Sequence, residues 1–175
     1  INQILYNNYI SINDIEVITP SEKNTILYEF NHTTANYPNN ITIIQLFKEQ
    51  VKKTPNNIAV NFKNDKLTYA ELNEKSDQLA NYLIDIGIKE QDRVCLFFKN
   101  SIELVISILA VLKSGACYIP IDVNYPLERI KYIIDNSNTS KILCNKFDCI
   151  KLEELSSRIL VLDLNQLDKF SKQSI

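Results

Sequence analysis

Glycine is nearly missing from this chain. Two residues in 175, Gly87 and Gly115, are glycine, where average usage of roughly 7% would place about a dozen. The shortage excludes the familiar glycine-rich phosphate loops: GxGxxG needs three glycines and GxxxxGK[ST] needs two at a fixed spacing. Methionine and tryptophan are absent, and His32 is the single histidine. Without methionine, Ile1 is not an initiator, and a fragment or a processed product is expected. Long apolar runs are also missing. The longest nearly apolar stretch, Ile102 to Leu112, falls short of the ~20 residues that span a bilayer, and the first residues lack the basic region and apolar core of a signal peptide. Neither sign of charge dominates: 19 basic and 21 acidic residues are interspersed, for a net charge of −2. No basic stripe marks a nucleic-acid or membrane surface, so neither partner is expected.

What is present is globular. Apolar residues make up 45% and charged residues 23%, and the length suits one domain, or one domain with a tail. The four cysteines, Cys95, Cys117, Cys144 and Cys149, match no zinc spacing, and His32 is remote from them in sequence. Reduced, buried or half-buried thiols in a cytoplasmic protein are the expectation, with no metal site.

Residues 1–40 read differently from the rest. Ile1 to Tyr9 reads as a short helix, and Ile10 to Thr19 as an extended, alternating segment ended by Pro20. Ser21 is placed to cap a short helix through Phe30, and Asn31 to Ile41 is a polar loop. This is linker with modest anchors.

From residue 41 the signals sharpen. Thr42 caps a helix with Ile43, Ile44, Phe47 and Val51 on its apolar face, stopped at Thr54-Pro55. Ile58 to Phe62 is a strand, Lys63-Asn64-Asp65 a turn, and Leu67 the centre of a second short strand. Thr68-Tyr69-Ala70-Glu71 is a capping box. It opens a helix whose stripe is Leu72, Ser76, Leu79, Leu83 and Ile86, and Gly87 is placed to stop it in the left-handed conformation. Arg93 to Phe98 holds five consecutive apolar residues, the habit of a central parallel strand buried on both faces. Asn100 to Glu103 has capping spacing, with Asn100 as the cap of a helix that is apolar at nine of the eleven positions from Ile102 to Leu112. Gly115 ends it. Cys117 to Ile121 is a strand that Pro120 confines to a short or edge position. Pro126 suits the first turn of a further helix with Leu127, Ile130, Ile133 and Ile134 inward. Ile142 to Cys144 and Ile159 to Leu162 are buried strands, with a poorer helix between them around Lys151 to Ser157. The fold class is therefore α/β: a mostly parallel sheet with flanking helices and right-handed crossovers.

Residues that could carry chemistry are few. His32 lies in the linker with no partner in sight. Ser114-Gly115 lacks the flanking glycines of a nucleophile elbow. Asp122 sits at the C-terminal end of a strand, where α/β sheets place ligands, but an Asp there is also ordinary turn chemistry. Glu128 and Arg129 are helix neighbours that point apart, with a surface role or a carboxylate partner open to Arg129. Glu71 is accounted for by capping, and Tyr69 and Tyr118 by the core. These residues form no catalytic constellation, and none is assigned as a catalytic, cofactor-binding or metal-binding residue.

Several segments taken together resemble a known family. Leu67-Thr68-Tyr69-Ala70-Glu71-Leu72 is similar to the first core motif of the adenylation domains of nonribosomal peptide synthetases. Leu112-Lys113-Ser114-Gly115-Ala116-Cys117-Tyr118-Ile119-Pro120-Ile121-Asp122 is similar to the second, with Ser114 where Ala is common and Ile119 where Val is common. Tyr125-Pro126-Leu127-Glu128-Arg129-Ile130 continues the likeness, as do Phe30-Asn31-His32-Thr33, Tyr37-Pro38 and Leu46 to Val51. The resemblance covers about residues 10 to 145.

It implies a partial N-terminal subdomain of an adenylate-forming enzyme over residues 41–175, with a condensation-domain tail and linker over 1–40. The parent domain is then expected to activate an amino acid with ATP and Mg2+ to aminoacyl-AMP. It would load the product onto the phosphopantetheine thiol of a carrier domain. Partners would be the condensation and carrier domains of the same synthetase, in the cytoplasm. The family's phosphate loop, nucleotide contacts, amino-acid pocket and catalytic lysine have no matching residues here. The fragment alone is therefore expected to be inactive, and its uncovered apolar faces to promote self-association. The alternatives are a fragment of an acyl-CoA synthetase and a non-catalytic interaction module that docks between synthetase domains.

Overall fold

The computed structural model describes residues 5–7, 9–150, 152 and 159–161. The chain divides into two compact units, 1–40 and 41–175.

In the first unit, a 3₁₀ turn at Ile12–Asp14 interrupts the segment read as extended. Ser11 drives the departure, because its hydroxyl accepts a hydrogen bond from the Asn13 N–H. Helix α1, Pro20–Asn24, is capped by Thr19 and not by Ser21, with Pro20 at its first position. Thr19 Oγ1 accepts from Glu22 N (3.2 Å), and the Glu22 carboxylate accepts from Thr19 N (2.7 Å). A proline at the first helical position removes an N–H that would have had no partner. A π-helical turn, Thr25–Glu29, follows directly. None of the described residues in this unit is buried.

In the second unit, helix α2 (Ile43–Lys53) begins at a Thr42–Gln45 capping box. Ile44, Phe47 and Val51 turn inward as expected, but Ile43 is 65% exposed. Strands β1 (Ile58–Phe62) and β2 (Asp65–Thr68) form an antiparallel hairpin, a sheet of its own. Lys63 takes φ +55° in the turn between them. The Thr68–Glu71 capping box opens α3, Tyr69–Asp85.

Strands β3 (Arg93–Phe97), β4 (Cys117–Ile121), β5 (Lys141–Cys144) and β6 (Ile159–Val161) form a second sheet in the order β4-β3-β5-β6, all parallel. β3 is central and β4 lies at the edge, as their sequences require. Helices α4 (Ile102–Lys113) and α5 (Leu127–Asn136) make the crossovers. The uninterrupted apolar run of β3 now has its reason. Val94 and Leu96 pack into one core with Leu72, Leu79, Leu83, Ile106 and Ala110 of α3 and α4. Cys95 and Phe97 point the other way, to Ile130 and Ile134 of α5.

The helix stops share one construction. Gly87 N donates to Ile84 O and Ile88 N to Leu83 O; Gly115 N donates to Leu112 O and Ala116 N to Val111 O. Both are Schellman motifs, with φ +92° at Gly87 and +79° at Gly115. Asn138, at φ +49°, ends α5 in the same way through Asp135 O and Ile134 O. Two helix starts of this unit differ from expectation. Ser101 caps α4 in place of Asn100, its hydroxyl accepting from Leu104 N at 3.3 Å, and Pro126 stands at the cap position of α5, one residue before the helix. The helix read around Lys151 to Ser157 lies outside the described residues apart from Leu152, which is buried.

Candidate functional site

The C-terminal ends of parallel strands are where α/β sheets bind ligands. Here a cleft of ≈ 690 Å³ opens at the ends of β3 and β4, against Phe98, Lys99, Asn100, Asp122 and Tyr125. A second, of ≈ 940 Å³, shares Lys63, Lys99 and Asn100 and continues to Ser101, Asn145 and Asp148.

Two carboxylates at this edge, Asp122 and Asp148, are engaged in local structure. Asp122 Oδ1 accepts from Asn124 N (2.8 Å) and Asn124 Nδ2 (3.0 Å), an Asx turn that steers the chain out of β4. Asp122 is thus at the cleft, as its position predicts, and its side chain holds the turn. Asp148 accepts from Asn145 Nδ2 (2.8 Å) and Lys99 N (3.3 Å). Lys63 and Lys99 give the cleft positive charge beside these two carboxylates.

The other sequence candidates are dispersed. His32 is exposed in the first unit, its N–H donating to Glu29 O at 3.2 Å. Ser114 donates its hydroxyl to Val111 O (2.8 Å) and completes the end of α4. Glu128 is exposed on α5, and the Arg129 guanidinium lies 5.4 Å over the Tyr132 ring. Tyr69 is half-buried beside Phe47 (ring centroids 6.1 Å apart), in keeping with a core role, whereas Tyr118 on the edge strand is exposed. Cys95 and Cys144 are buried and Cys149 half-buried, but Cys117 is exposed at the start of β4; all four are free. Among the described residues no group of three His, Cys, Asp or Glu could hold a metal ion, and no helix is long and apolar enough to cross a membrane.

The strongest electrostatic feature was not among the candidates. Lys113, in the last turn of α4, buries its ammonium completely and reaches Asp77 Oδ1 at 2.7 Å, where the carboxylate side chain is 4% exposed. Its Nζ also donates to Ser76 Oγ (2.8 Å), Asn73 Oδ1 (3.0 Å) and Asn73 O (3.2 Å), and lies 5.4 Å from the Phe47 ring centroid. Burial pushes the Lys113 pKa down, while Asp77 works against that shift. One cation therefore ties α2, α3 and α4 together. The available signal was a lysine closing an apolar helix, opposite an Asp one residue past the α3 stripe.

Glycine placement serves the helix ends. Gly115 ends α4 against Glu90: a Cβ there would stand 2.9 Å from Glu90 Cγ, so this close approach is to a side chain of the same chain. At Gly87 a Cβ would meet nothing within 4 Å, and both glycines serve as helix stops.

Comparison with known proteins identifies the frame to which these parts belong. Residues 47–174 match the family described as AMP-binding enzyme. The chain is 51% identical over 135 residues, 77% of its length, to bacitracin synthase 3 of Bacillus licheniformis. It is 49% identical over 125 residues, 71% of its length, to gramicidin S synthase 1 of Brevibacillus brevis. It is 43% identical over 143 residues, 82% of its length, to tyrocidine synthase 3 of Brevibacillus parabrevis. It spans only 2%, 11% and 2% of those three relatives. Among solved structures, the N-terminal subdomain of Klebsiella oxytoca NpsA in complex with 3-hydroxyanthranilyl-AMSN superposes with TM-score 0.62 at 25% identity, over 76% of this chain and 32% of that one. The nonribosomal peptide synthetase FmoA3, in its α-methyl-L-serine-AMP bound form, shares the fold with TM-score 0.71 at 23% identity, over 81% of this chain and 16% of that one. The chain belongs to the AMP-binding enzyme family, as a partial N-terminal region of a nonribosomal peptide synthetase adenylation domain.

Proposed function

We propose that the complete domain containing this chain activates an amino acid with MgATP. The carboxylate attacks the α-phosphorus, aminoacyl-AMP forms and pyrophosphate leaves; the acyl group then passes to the phosphopantetheine thiol of a carrier domain. The observation that carries this reading is the 51% identity to a peptide synthase across 135 residues. That level of likeness to a peptide synthase favours amino-acid activation over the acyl-CoA synthetase alternative. Residues 41–175 serve as scaffold: the parallel sheet and its helices hold an edge at which the rest of the domain builds the nucleotide and amino-acid sites. No step of the reaction is assigned to a residue of this chain, and the 175-residue chain alone is inactive.

Residues 1–40 act as the tail and linker of a preceding condensation domain. Many of their described apolar side chains, Tyr9, Val17 and Phe30 among them, are exposed, which suits a segment that another domain covers. The same exposure promotes self-association of the isolated chain, read as a mass above the monomer by light scattering. The setting is secondary-metabolite biosynthesis in the cytoplasm.

The test is acyl loading. The complete domain, a carrier domain bearing phosphopantetheine, MgATP and single amino acids are incubated, and the intact carrier mass is measured. A mass gain of one aminoacyl group, dependent on ATP, is expected. Loading only by fatty or aryl acids contradicts the proposal.

A further inference from the structure

Cys144 ends β5, and Cys149 follows after four residues, 145–148. Asn145 folds this segment back on itself. Its Oδ1 accepts from Phe147 N (3.0 Å) and Asp148 N (2.8 Å), and its carbonyl accepts from Cys149 N (3.1 Å). Cys149 thereby packs on the same apolar cluster that contains Cys144, whose Sγ donates to Leu160 O at 3.9 Å. Cys144 is fully buried, while Cys149 is half-buried, with its Sγ donating to Lys146 O at 3.3 Å. The remaining cysteines are placed otherwise: Cys95 Sγ lies 3.0 Å from Thr139 Oγ1 inside the core, and Cys117 is exposed on the edge strand.

We propose that Cys144 and Cys149 form an oxidisable dithiol that peroxide closes to an intrachain disulfide. Access and burial divide the roles. The Cys149 thiolate, the one within reach of solvent, attacks a peroxide oxygen; the S–O bond forms, the O–O bond breaks and hydroxide leaves. Cys144 then attacks the sulfenic sulfur; the S–S bond forms, the S–O bond breaks and the oxygen departs as water. Two thiols lose two electrons, and one hydrogen peroxide becomes two waters. Burial holds Cys144 protonated, its pKa pushed far up by desolvation first and by Cys149 and Asp148 next, which suits the resolving role. The closed loop carries Asp148, which accepts from Lys99 N and stands 4.0 Å from Lys99 Nζ at the cleft. The oxidation state of the pair therefore reaches the ligand-facing edge of the sheet. This inference is independent of which acid the parent domain activates.

The sequence supplies a direct test. Lys141, Lys146 and Lys151 let trypsin release residues 142–146 and 147–151 as separate peptides, one cysteine in each. The 175-residue chain is treated with hydrogen peroxide in native buffer, its remaining thiols are alkylated, and it is digested without reductant. The expected product is the two peptides joined, with two hydrogens fewer than their sum, and separated again by dithiothreitol. Cys149→Ser abolishes the joined species, and Cys117→Ser leaves it in place. Recovery of the two peptides unlinked, or of Cys149 joined to Cys117 instead, overturns the proposal.

Discussion

Lys113 Nζ stands 2.7 Å from Asp77 Oδ1, with both side chains almost fully withdrawn from solvent. The two residues are 36 positions apart and on different helices. The pair satisfies itself through Ser76 and Asn73, which is the condition under which a buried charge is tolerated.

Breaking the pair is therefore expected to be costly in one direction only. Lys113→Met leaves Asp77 buried without its cation and lowers stability by about 3–5 kcal/mol. The double replacement Lys113→Met with Asp77→Leu recovers most of that loss, because no uncompensated charge remains. Urea unfolding of the three proteins checks this; a double variant as unstable as the single one contradicts it.

The two glycines separate by their surroundings. Both need positive φ, so alanine at either is expected to cost about 1 kcal/mol or more. At Gly87 a Cβ meets nothing within 4 Å, whereas at Gly115 it meets Glu90 Cγ at 2.9 Å. Gly115→Ala is expected to be the more destabilising, and Glu90→Ala to narrow the gap. Equal urea midpoints for the two alanine variants would contradict the role of Glu90.

Glu71 predicts part of the acid response. Hydrogen bonds from Thr68, backbone first and side chain second, hold its pKa below the ordinary 4.5. The folded state therefore binds fewer protons than the unfolded state just below that value. The stabilisation is complete above pH 4.5 and is lost as pH falls through the lowered folded-state pKa. Glu71→Gln keeps the cap, as Gln45 does at Thr42, and removes the titration. Its stability is expected to lie below the parent near pH 7, where the ionised carboxylate contributes, and to fall less steeply below pH 4.5, as followed by circular dichroism in urea at a series of pH values. An unchanged acid slope contradicts this.

How much of this was legible depends on range. Thr42, Thr68, Gly87 and Gly115 announce helix boundaries through contacts within a few residues, and all four stand where their chemistry places them. The buried run of Val94 to Phe98 announces a central strand, because only that position covers both faces. At Ser101 and Thr19 the choice between neighbouring capping residues depended on which side chain met a free N–H, and composition alone could not rank them. Edge exposure of Cys117 and Tyr118 depends on what lies beyond β4. The Lys113–Asp77 pair depends on how α3 and α4 cross. At the cleft, the position of Asp122 was readable, but its tie to Asn124 had to be seen.

The central claim is that this chain is the scaffold of an amino-acid-activating domain and carries no reaction machinery of its own. The most direct measurement is ATP–pyrophosphate exchange, run on the 175-residue chain and on the complete domain with each amino acid. Exchange by the complete domain with at least one amino acid, and none above background by the chain, is the predicted result. Amino-acid-dependent exchange by the chain itself would contradict the account.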